Sequence, residues 1–287
     1  MQKKIALIFL LSVFFSASIH QDIIWAEMRH INKLRAGRPP FEIMEDMTDA
    51  NLKFTAMTAS RQGRLSKTQP PYITWLADPD ARIQPELIMS DPQNKVYTVR
   101  VLGNQLELAK GSVDYGVLRL RSTILLITGN TGNQALRFYL EGLAQLEPAD
   151  ILKDLNRLPI KPQKVEKRKK QKPKKQKKEK QESLKKKWLD SVENNIDYQI
   201  EQALERYKAR VKSGRLIITG GIIDLTNAYG RGHDRLIIIN INGEKNDEKL
   251  RGLPIMMRLK PKILTKCVGR KRNPEPIAPS TPEEITN

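Results

Sequence analysis

The sequence predicts an α+β protein made of two small sheet-plus-helix regions joined by a disordered Lys-rich linker. Three observations support this class: short strand-like runs, amphipathic helical segments beside them, and a concentration of positive charge between the two regions. The predicted boundaries are a signal peptide at 1–18, an N-terminal α+β domain at 19–160, the linker at 161–187, a C-terminal α+β domain at 188–268 and a disordered tail at 269–287.

The first eighteen residues have the layout of a secretory signal. Lys3 and Lys4 precede an apolar run at 5–15, which is too short to span a bilayer comfortably, and small residues follow at Ser16 and Ser18. We therefore expect a secreted or extracytoplasmic protein, with an uncleaved anchor as the alternative. No later segment of the sequence reads as a transmembrane span.

The N-terminal domain begins with weak structural signals. Residues 42–58 are predicted to form a helix with loosely spaced apolar side chains. Prolines between residues 69 and 92 predict irregular structure, which Trp75 anchors to a core. The organised part of this domain is therefore expected to start at Lys95.

Strand-like runs follow Lys95. Residues 96–102 and 105–109 predict a hairpin about a tight turn at Gly103 and Asn104. Residues 117–120 alternate as a half-exposed strand does, and 124–128 form a continuous apolar run typical of a buried strand. Together they predict a small antiparallel sheet.

Helices are predicted on both sides of the linker. Residues 134–146 carry leucines on one face, and Pro148 opens a second helix that reaches Leu158. The clearest helix runs from Leu189 to Val211, because its apolar side chains recur every three or four residues, and Gly214 is suited to end it. This face is expected to lie across the protein's own sheet, with self-association or a coiled coil as the alternative.

The C-terminal domain is predicted to add a second small sheet. Residues 215–225 and 235–241 are rich in isoleucine and leucine, and Asn242 with Gly243 is a strong hairpin signal. The return strand is assigned to residues 256–259. Beyond residue 269 the sequence is polar and rich in proline, which predicts a disordered tail.

The linker concentrates the charge of the chain. Residues 161–187 hold fourteen Lys and one Arg against three Glu, a net charge of +12 out of +19 for the whole protein. Such a segment cannot bury enough apolar surface to order itself, so a disordered ribbon is expected, with a helix towards its end as the alternative. It binds anions with little sequence preference. The expected partner is a polyanion, namely a wall polymer, an acidic lipid or nucleic acid, and the alternative is a solvated spacer.

Basic residues at both ends of the C-terminal domain make up the predicted anion-binding set. They are Lys167, Arg168, Lys169, Lys170, Lys172, Lys174, Lys175, Lys177, Lys178, Arg270, Lys271 and Arg272.

Motifs for catalysis or metal binding are weak. The loop 129–133 is followed by Gln134 and Ala135, where a phosphate-binding loop has Lys and Ser/Thr, so a plain turn is favoured over a phosphate site. His233 beside Asp234 is a candidate acid–base pair in a loop that contains two glycines. Cys267 is the only cysteine and is interpreted as an incidental thiol.

Metal ligation finds little support in the sequence. The three histidines, His20, His30 and His233, lack metal-ligand spacing. Acidic residues at Asp78, Asp80 and Glu86 are a candidate cation site but are read more simply as a turn-forming loop. No metal and no cofactor are therefore predicted.

These observations favour an exported, non-enzymatic binding or scaffolding protein whose linker contacts a polyanionic surface. Two alternatives remain at this point: a nucleic-acid-binding protein, and a hydrolase whose site is assembled from dispersed residues. Binding is favoured over catalysis, because no catalytic motif is complete.

Overall fold

The structure is a computed structural model that describes residues 38–58, 69–142, 148–160 and 174–272. The chain divides into two compact units, residues 1–67 and 68–287. In the first unit the described element is helix α1 (Pro40–Thr58), which confirms the helix predicted at 42–58. The predicted signal peptide lies outside the described residues. Across the four described ranges, no helix combines the length and apolar character that crossing a bilayer requires.

The second unit is built on one five-stranded sheet with the order β2-β1-β3-β4-β5. The first four strands run parallel and β5 runs antiparallel to β4. The strands are β1 (Ile73–Ala77), β2 (Val96–Arg100), β3 (Ile124–Asn130), β4 (Ile217–Asp224) and β5 (Arg235–Ile241).

The central strands are apolar because both faces of the sheet are covered. β3 has Leu125 and Ile127 fully buried on one side, and Leu126 packs in a separate cluster with Trp75 of β1 on the other. A parallel strand covered on both faces favours such a continuous apolar sequence. The buried strand predicted at 124–128 is therefore confirmed, as are the strands predicted around β4 and β5.

Short helices connect the strands and cover the sheet. The helices after α1 are α2 (Leu106–Asp114), α3 (Gln134–Leu140), α4 (Ala149–Leu155), α5 (Lys174–Arg206), α6 (Lys208–Lys212), α7 (Asp247–Arg251), α8 (Pro254–Met257) and α9 (Pro261–Cys267). Short 3₁₀ turns at Pro85–Leu87 and Leu102–Asn104 and a π-helical turn at Tyr115–Arg119 complete the described elements.

Helix α5 packs directly on β3 and β4. Five of its apolar residues are at most 2% exposed, and so is Tyr207, which directly follows it: Leu189, Val192, Ile196, Ile200 and Ala203. The predicted amphipathic helix is confirmed, and its apolar face is buried in the protein's own core. This packing leaves that face no free surface for a second copy of the chain, so a coiled coil through it is not supported.

The coarse prediction of a sheet combined with helices is confirmed, but the prediction of a separate sheet in each region is wrong. Ile124 of β3 pairs with Ile217 of β4, and the pairing continues to Asn130 and Ile223. Strands from either side of the Lys-rich segment therefore form one sheet. Parallel strands need a long crossover connection, and the segment between β3 and β4 supplies it.

The linker and tail also differ from the prediction where they are described. Helix α5 begins at Lys174, so residues 174–187 are helical rather than disordered, because lysine and glutamate are good helix formers ahead of a packed helix. Residues 161–173 lie outside the described residues. In the tail, Gly269 pairs its backbone N–H with the carbonyl of Ile238, so residues 269–272 are docked on the core.

Four local predictions are wrong. Strand β1 was predicted to be irregular, because prolines surround its five residues. The hairpin at Gly103 is instead a 3₁₀ turn that leads into α2, and residues 117–120 belong to the π-helical turn. The return strand at 256–259 is replaced by α8, which has a proline at its first turn.

The close approach of α5 to β4 depends on Gly220. A Cβ atom at this position would lie 2.4 Å from Ile200 Cδ1 and 2.8 Å from Ile196 Cγ2. We expect Gly220→Val to lower the free energy of unfolding by about 1–3 kcal/mol or more, because the helix must move away from the sheet. Urea denaturation followed by circular dichroism measures this change.

Gly111 in α2 provides the matched control, since a Cβ atom there meets nothing within 4 Å. Gly111→Ala is expected to be neutral or to stabilise by about 0.5–1 kcal/mol, because alanine favours the helix. Equal destabilisation by both substitutions would contradict the packing described for Gly220.

Candidate active site

Polar side chains gather where the parallel strands end. Asp78 directly follows β1, Asn104 lies just beyond β2, and Asn130 is the last residue of β3. Because β1 lies between β2 and β3, these three residues come from adjacent strands at the same edge of the sheet. Open α/β sheets bind their ligands at this carboxyl edge. The edge is therefore the candidate active site.

Asp78 is the buried carboxyl group of this edge, with 3% of its surface exposed. The backbone N–H of Gly103 donates to Asp78 Oδ1 at 2.7 Å. Burial raises the pKa of Asp78 to about 7, against the lowering effect of hydrogen bonds from the Asn133 side chain and from the backbone of Gly103 and Asn104. The charge of Asp80 adds to the rise. Asp78 therefore exchanges a proton near neutral pH.

Asp80 lies two residues away and has the opposite character. Arg82 Nε donates to Asp80 Oδ1 at 2.9 Å and Arg82 Nη2 donates to Oδ2 at 2.7 Å. Burial acts to raise the pKa of Asp80, but the hydrogen bonds and charge of Arg82 outweigh it and lower the pKa. Asp80 is therefore held as a carboxylate.

The loop that carries both carboxyl groups is fixed from outside. Arg100, at the end of β2, donates to the carbonyls of Asp80 (2.9 Å) and Ile83 and lies over the ring of Trp75. Arg82 Nη2 donates to the carbonyl of Gly132 at 2.9 Å, which ties this loop to the loop after β3. A Cβ atom at Gly132 would lie 2.8 Å from Arg82 Nη2, so a side chain there would displace the guanidinium.

The loop after β3 orients two asparagine side chains. Asn130 Oδ1 accepts a hydrogen bond from the backbone N–H of Gly132 at 2.9 Å. Asn133 Oδ1 caps α3 by accepting from the N–H of Leu136 at 2.9 Å, and the same side chain bonds to Asp78. The predicted turn is confirmed at residues 131–132, whereas Gly129 and Asn130 belong to β3, and the turn is part of the candidate site.

Asp224, at the end of β4, braces this loop. Its carboxylate accepts hydrogen bonds from Thr131 Oγ1 at 3.0 Å and from the backbone N–H groups of Ala228 and Tyr229, each at 2.8 Å. Asp224 is fully buried. It therefore holds together the loops that follow β3 and β4.

The structure does not gather the candidate catalytic and metal-binding residues that local motifs predicted into one site. His233 and Asp234 are both exposed, and His233 Nδ1 is 3.0 Å from the carbonyl oxygen of Leu225. Cys267 lies at the end of α9. Glu86 lies in a 3₁₀ turn, and within the part of the chain that the structure describes no three His, Cys, Asp or Glu side chains form a possible metal cluster. Of the acidic loop, Asp78 and Asp80 belong to the site.

Some members of the predicted anion-binding set are engaged within the protein, and the side chains of the others are not described. Arg270 is engaged internally, with Nη1 3.2 Å from Glu193 Oε2 and Nη2 2.6 Å from Asp197 Oδ1, and Arg272 pairs with Asp190. The backbone N–H of Lys271 bonds to Asp247. The remaining members of the set lie outside the described residues or have side chains that are not described, namely Lys167, Arg168, Lys169, Lys170, Lys172, Lys174, Lys175, Lys177 and Lys178. Their contact with a polyanion stays a prediction.

Sequence reasoning missed Asn104, Asn130 and Asn133 as site residues. It treated Gly103 and Asn104 as a hairpin turn, which placed Asn104 on a separate structural element. The signal that identifies the site is positional: three polar residues each follow a short apolar run. That signal acquires meaning only when the runs are recognised as adjacent parallel strands.

A family model described as carbonic anhydrase matches residues 73–230, which is more than half of the 287-residue chain. No curated protein sequence matches the chain.

Solved structures of β-carbonic anhydrases share this fold. A Coccomyxa enzyme in complex with acetazolamide matches with a TM-score of 0.51 at 14% identity, over 74% of this chain and 90% of its own. One of two tetrameric enzymes from Sordaria macrospora matches with a TM-score of 0.54 at 14% identity, over 69% and 98%. An enzyme from Aspergillus fumigatus matches with a TM-score of 0.50 at 15% identity, over 76% and 98%. At these identities the likeness concerns the fold.

These matches correct the expectation of a non-enzymatic binding or scaffolding protein. The family model points to an enzyme, and the matched range covers strands β1 to β4 together with the carboxyl edge. The expectation failed because it relied on complete local motifs, whereas this site is assembled from residues that follow separate strands.

The raised pKa of Asp78 makes protein stability depend on pH. A folded-state pKa of about 7 against 3.8 means that the folded form binds the proton more tightly, so stability falls as the pH rises through this range. Asp78→Asn removes the titration. The free energy of unfolding of the variant is expected to rise relative to that of the wild type between about pH 4 and pH 7. Above pH 7 the difference reaches up to about 4 kcal/mol.

Urea denaturation of both proteins at several pH values measures this difference. Asp150→Asn serves as the control, because Asp150 is exposed at the start of α4 and no such pH-dependent gain is expected. A constant difference between wild type and Asp78→Asn across the pH range would contradict the protonation assigned to Asp78.

Proposed function

This chain belongs to the carbonic anhydrase family, and we propose that it interconverts bicarbonate and carbon dioxide at the carboxyl edge of its sheet, with Asp78 transferring the proton. The observation that carries the proposal is the pair of neighbouring carboxyl groups with opposite environments. Asp78 is buried and bonded to neutral donors, whereas Asp80 is paired with Arg82. Two titratable groups whose environments separate their pKa values are typical of acid–base sites.

Carbonic anhydrases are zinc enzymes, in which the metal supplies a hydroxide nucleophile at neutral pH. Zinc prefers cysteine sulfur and histidine nitrogen. At this edge the described side chains are one buried carboxyl, an Asp–Arg pair and three asparagines, while Cys267 and His233 lie elsewhere. These residues do not fit a catalytic zinc ion, so we derive no step through one.

The dehydration of bicarbonate needs a proton donor. The neutral carboxyl of Asp78 donates its proton to the hydroxyl oxygen of bicarbonate, the C–O bond to that oxygen breaks, and water and carbon dioxide leave. Asp78 is then a carboxylate that takes up a proton from solvent. In the reverse direction this carboxylate removes a proton from the water that attacks carbon dioxide. General acid–base catalysis of this kind contributes about 10²–10⁴-fold.

The surroundings of Asp78 suit this role. Its pKa of about 7 lies close to neutral pH, where a general acid is most effective. With 3% of its surface exposed, it excludes all but very small substrates. Asp80 stays ionised, because Arg82 holds it, and its charge favours the neutral form of Asp78. The loops are braced by Arg100 and Asp224, so the site is organised before the substrate arrives.

Exchange of ¹⁸O between labelled bicarbonate and water, followed by mass spectrometry, tests the proposal. We expect catalysis that survives extensive treatment with a chelator and that falls by about 10²–10⁴-fold in Asp78→Asn. Dehydration is expected to decline as the pH rises through about 7, because the proton donor is lost. Asp150→Asn, at the start of α4, is expected to keep the activity of the wild type.

Two results would overturn this function. One is an exchange rate no higher than that of buffer. The other is an activity that disappears with the chelator, returns with added zinc and is unaffected by Asp78→Asn.

A further inference from the structure

Two buried amide nitrogens at the candidate active site lack a hydrogen-bond acceptor among the described residues. Asn104 and Asn130 are each 1% exposed, and among the described residues the Nδ2 atom of each has no acceptor. Leaving a buried donor unpaired is destabilising, so such groups in native proteins call for an explanation. Both unpaired atoms are donors, so the missing partner is an acceptor and not a cation.

The orientation of Asn104 is set by a relay of amides from α5. The backbone N–H of Leu106 donates to Gln199 Oε1 at 2.9 Å, which leaves Gln199 Nε2 to donate to Asn195 Oδ1 at 3.1 Å. Asn195 Nδ2 then donates to the carbonyl of Gly103 at 2.9 Å and to Asn104 Oδ1 at 3.0 Å. Since a backbone N–H can only donate, the whole relay has one direction, and it ends on Asn104 with Nδ2 unpaired.

The orientation of Asn130 is set independently. Its Oδ1 atom accepts from the backbone N–H of Gly132 at 2.9 Å, so Nδ2 must be the remaining donor. Asn104 and Asn130 lie beyond the two strands that flank β1, and Asp78 lies between them. The backbone of Asn104 also bonds to Asp78 directly. Two separate backbone groups therefore direct two amide donors to the same edge of the sheet.

The burial of both amides restricts the ligand. Asn104 and Asn130 follow the two strands that flank β1, and each is 1% exposed. A ligand that reaches both Nδ2 atoms must therefore be small. Arg82 is already bonded to Asp80 and to the carbonyl of Gly132. The donors offered by Asn104 and Asn130 are therefore neutral amides. A small planar anion with two or three oxygen acceptors matches these features.

We propose that Asn104 and Asn130 form a subsite for a small planar oxyanion of the bicarbonate and carboxylate class, with Asn195 and Gln199 as positioning residues. This proposal rests on the proposed function for the identity of the physiological anion. Each amide donates from Nδ2 to one oxygen of the anion. The subsite requires no metal, because both donors are already oriented by the backbone.

Binding of sodium bicarbonate and sodium nitrate, followed by isothermal titration calorimetry and by ¹⁵N NMR of the asparagine amides, tests the subsite. Asn104→Asp and Asn130→Asp each keep the Oδ1 acceptor but replace the donor with a carboxylate oxygen. Each substitution is expected to weaken the binding of both anions by about tenfold or more, since a bond is lost and a like charge is added. Asn246→Asp, the cap of α7, is the matched control and is expected to bind as the wild type does.

Asn195→Asp tests the relay. A carboxylate at this position cannot donate to Asn104 Oδ1, so the Asn104 amide turns to donate Nδ2 to the carboxylate and presents Oδ1 to the site. Anion affinity is expected to fall about as much as in Asn104→Asp, and ¹⁵N NMR is expected to show the changed environment of the Asn104 amide. A residue with only a structural role would change the melting temperature and leave anion affinity unchanged.

The outcomes separate this proposal from the proposed function. If the wild type binds neither anion, or if both Asn→Asp variants bind as tightly as the control, the subsite is wrong even where ¹⁸O exchange persists. If the anions bind as expected but Asp78→Asn leaves exchange unchanged, the proposed function is wrong and the subsite stands.

Discussion

The parallel pairing of β3 with β4 is the interaction on which the rest of this structure depends. It joins strands that lie on either side of the Lys-rich segment, and it places α5 over the sheet with Ile196 and Ile200 against Gly220. Without this pairing, β1 to β3 and the β4–β5 pair would each have an exposed edge and an uncovered face. Gly220 permits this close contact between α5 and the sheet. The contact helps to join the parts of the chain before and after the Lys-rich segment into one unit.

The same pairing organises the candidate site. β3 ends at Asn130 and β4 ends at Asp224, so the loop between Asn130 and Asn133 is braced from the neighbouring strand. Helix α5 reaches the opposite side of the site through Asn195, which bonds to Gly103 and Asn104. Each polar side chain of the edge is thus positioned by an element whose own position depends on the central pair of strands.

The fold of this chain and the chemistry of its carboxyl edge depend on different residues. The family fold requires buried apolar strands and a covering helix, and these are present. The edge carries oxygen and amide groups, with one carboxyl kept near neutrality by burial, in place of the sulfur and nitrogen donors that suit zinc. In the proposed function, burial and directional hydrogen bonds act through Asp78 and through the unpaired Nδ2 atoms of Asn104 and Asn130.

The sequence by itself determined several elements whose signal is local. The apolar spacing of α5 and the continuous apolar runs of β3 and β5 each reflect burial of a face, so their periodicity identified them. Gly214 was likewise recognisable as the end of a helix, and its φ of 69° agrees. The sequence also indicated the turn between β3 and α3, although it assigned that turn no role in chemistry.

Only the tertiary structure decided which strands pair and which polar residues meet. β1 is five residues long between prolines, so its strand character appears only when β2 and β3 pair with it. Asp78, Asn104 and Asn130 are far apart in the chain and become neighbours because their strands are parallel and end at one edge. Strand pairing joins residues that are distant in sequence, and no local pattern specifies it; this is the physical reason that the helix and strand signals were readable while the site was not.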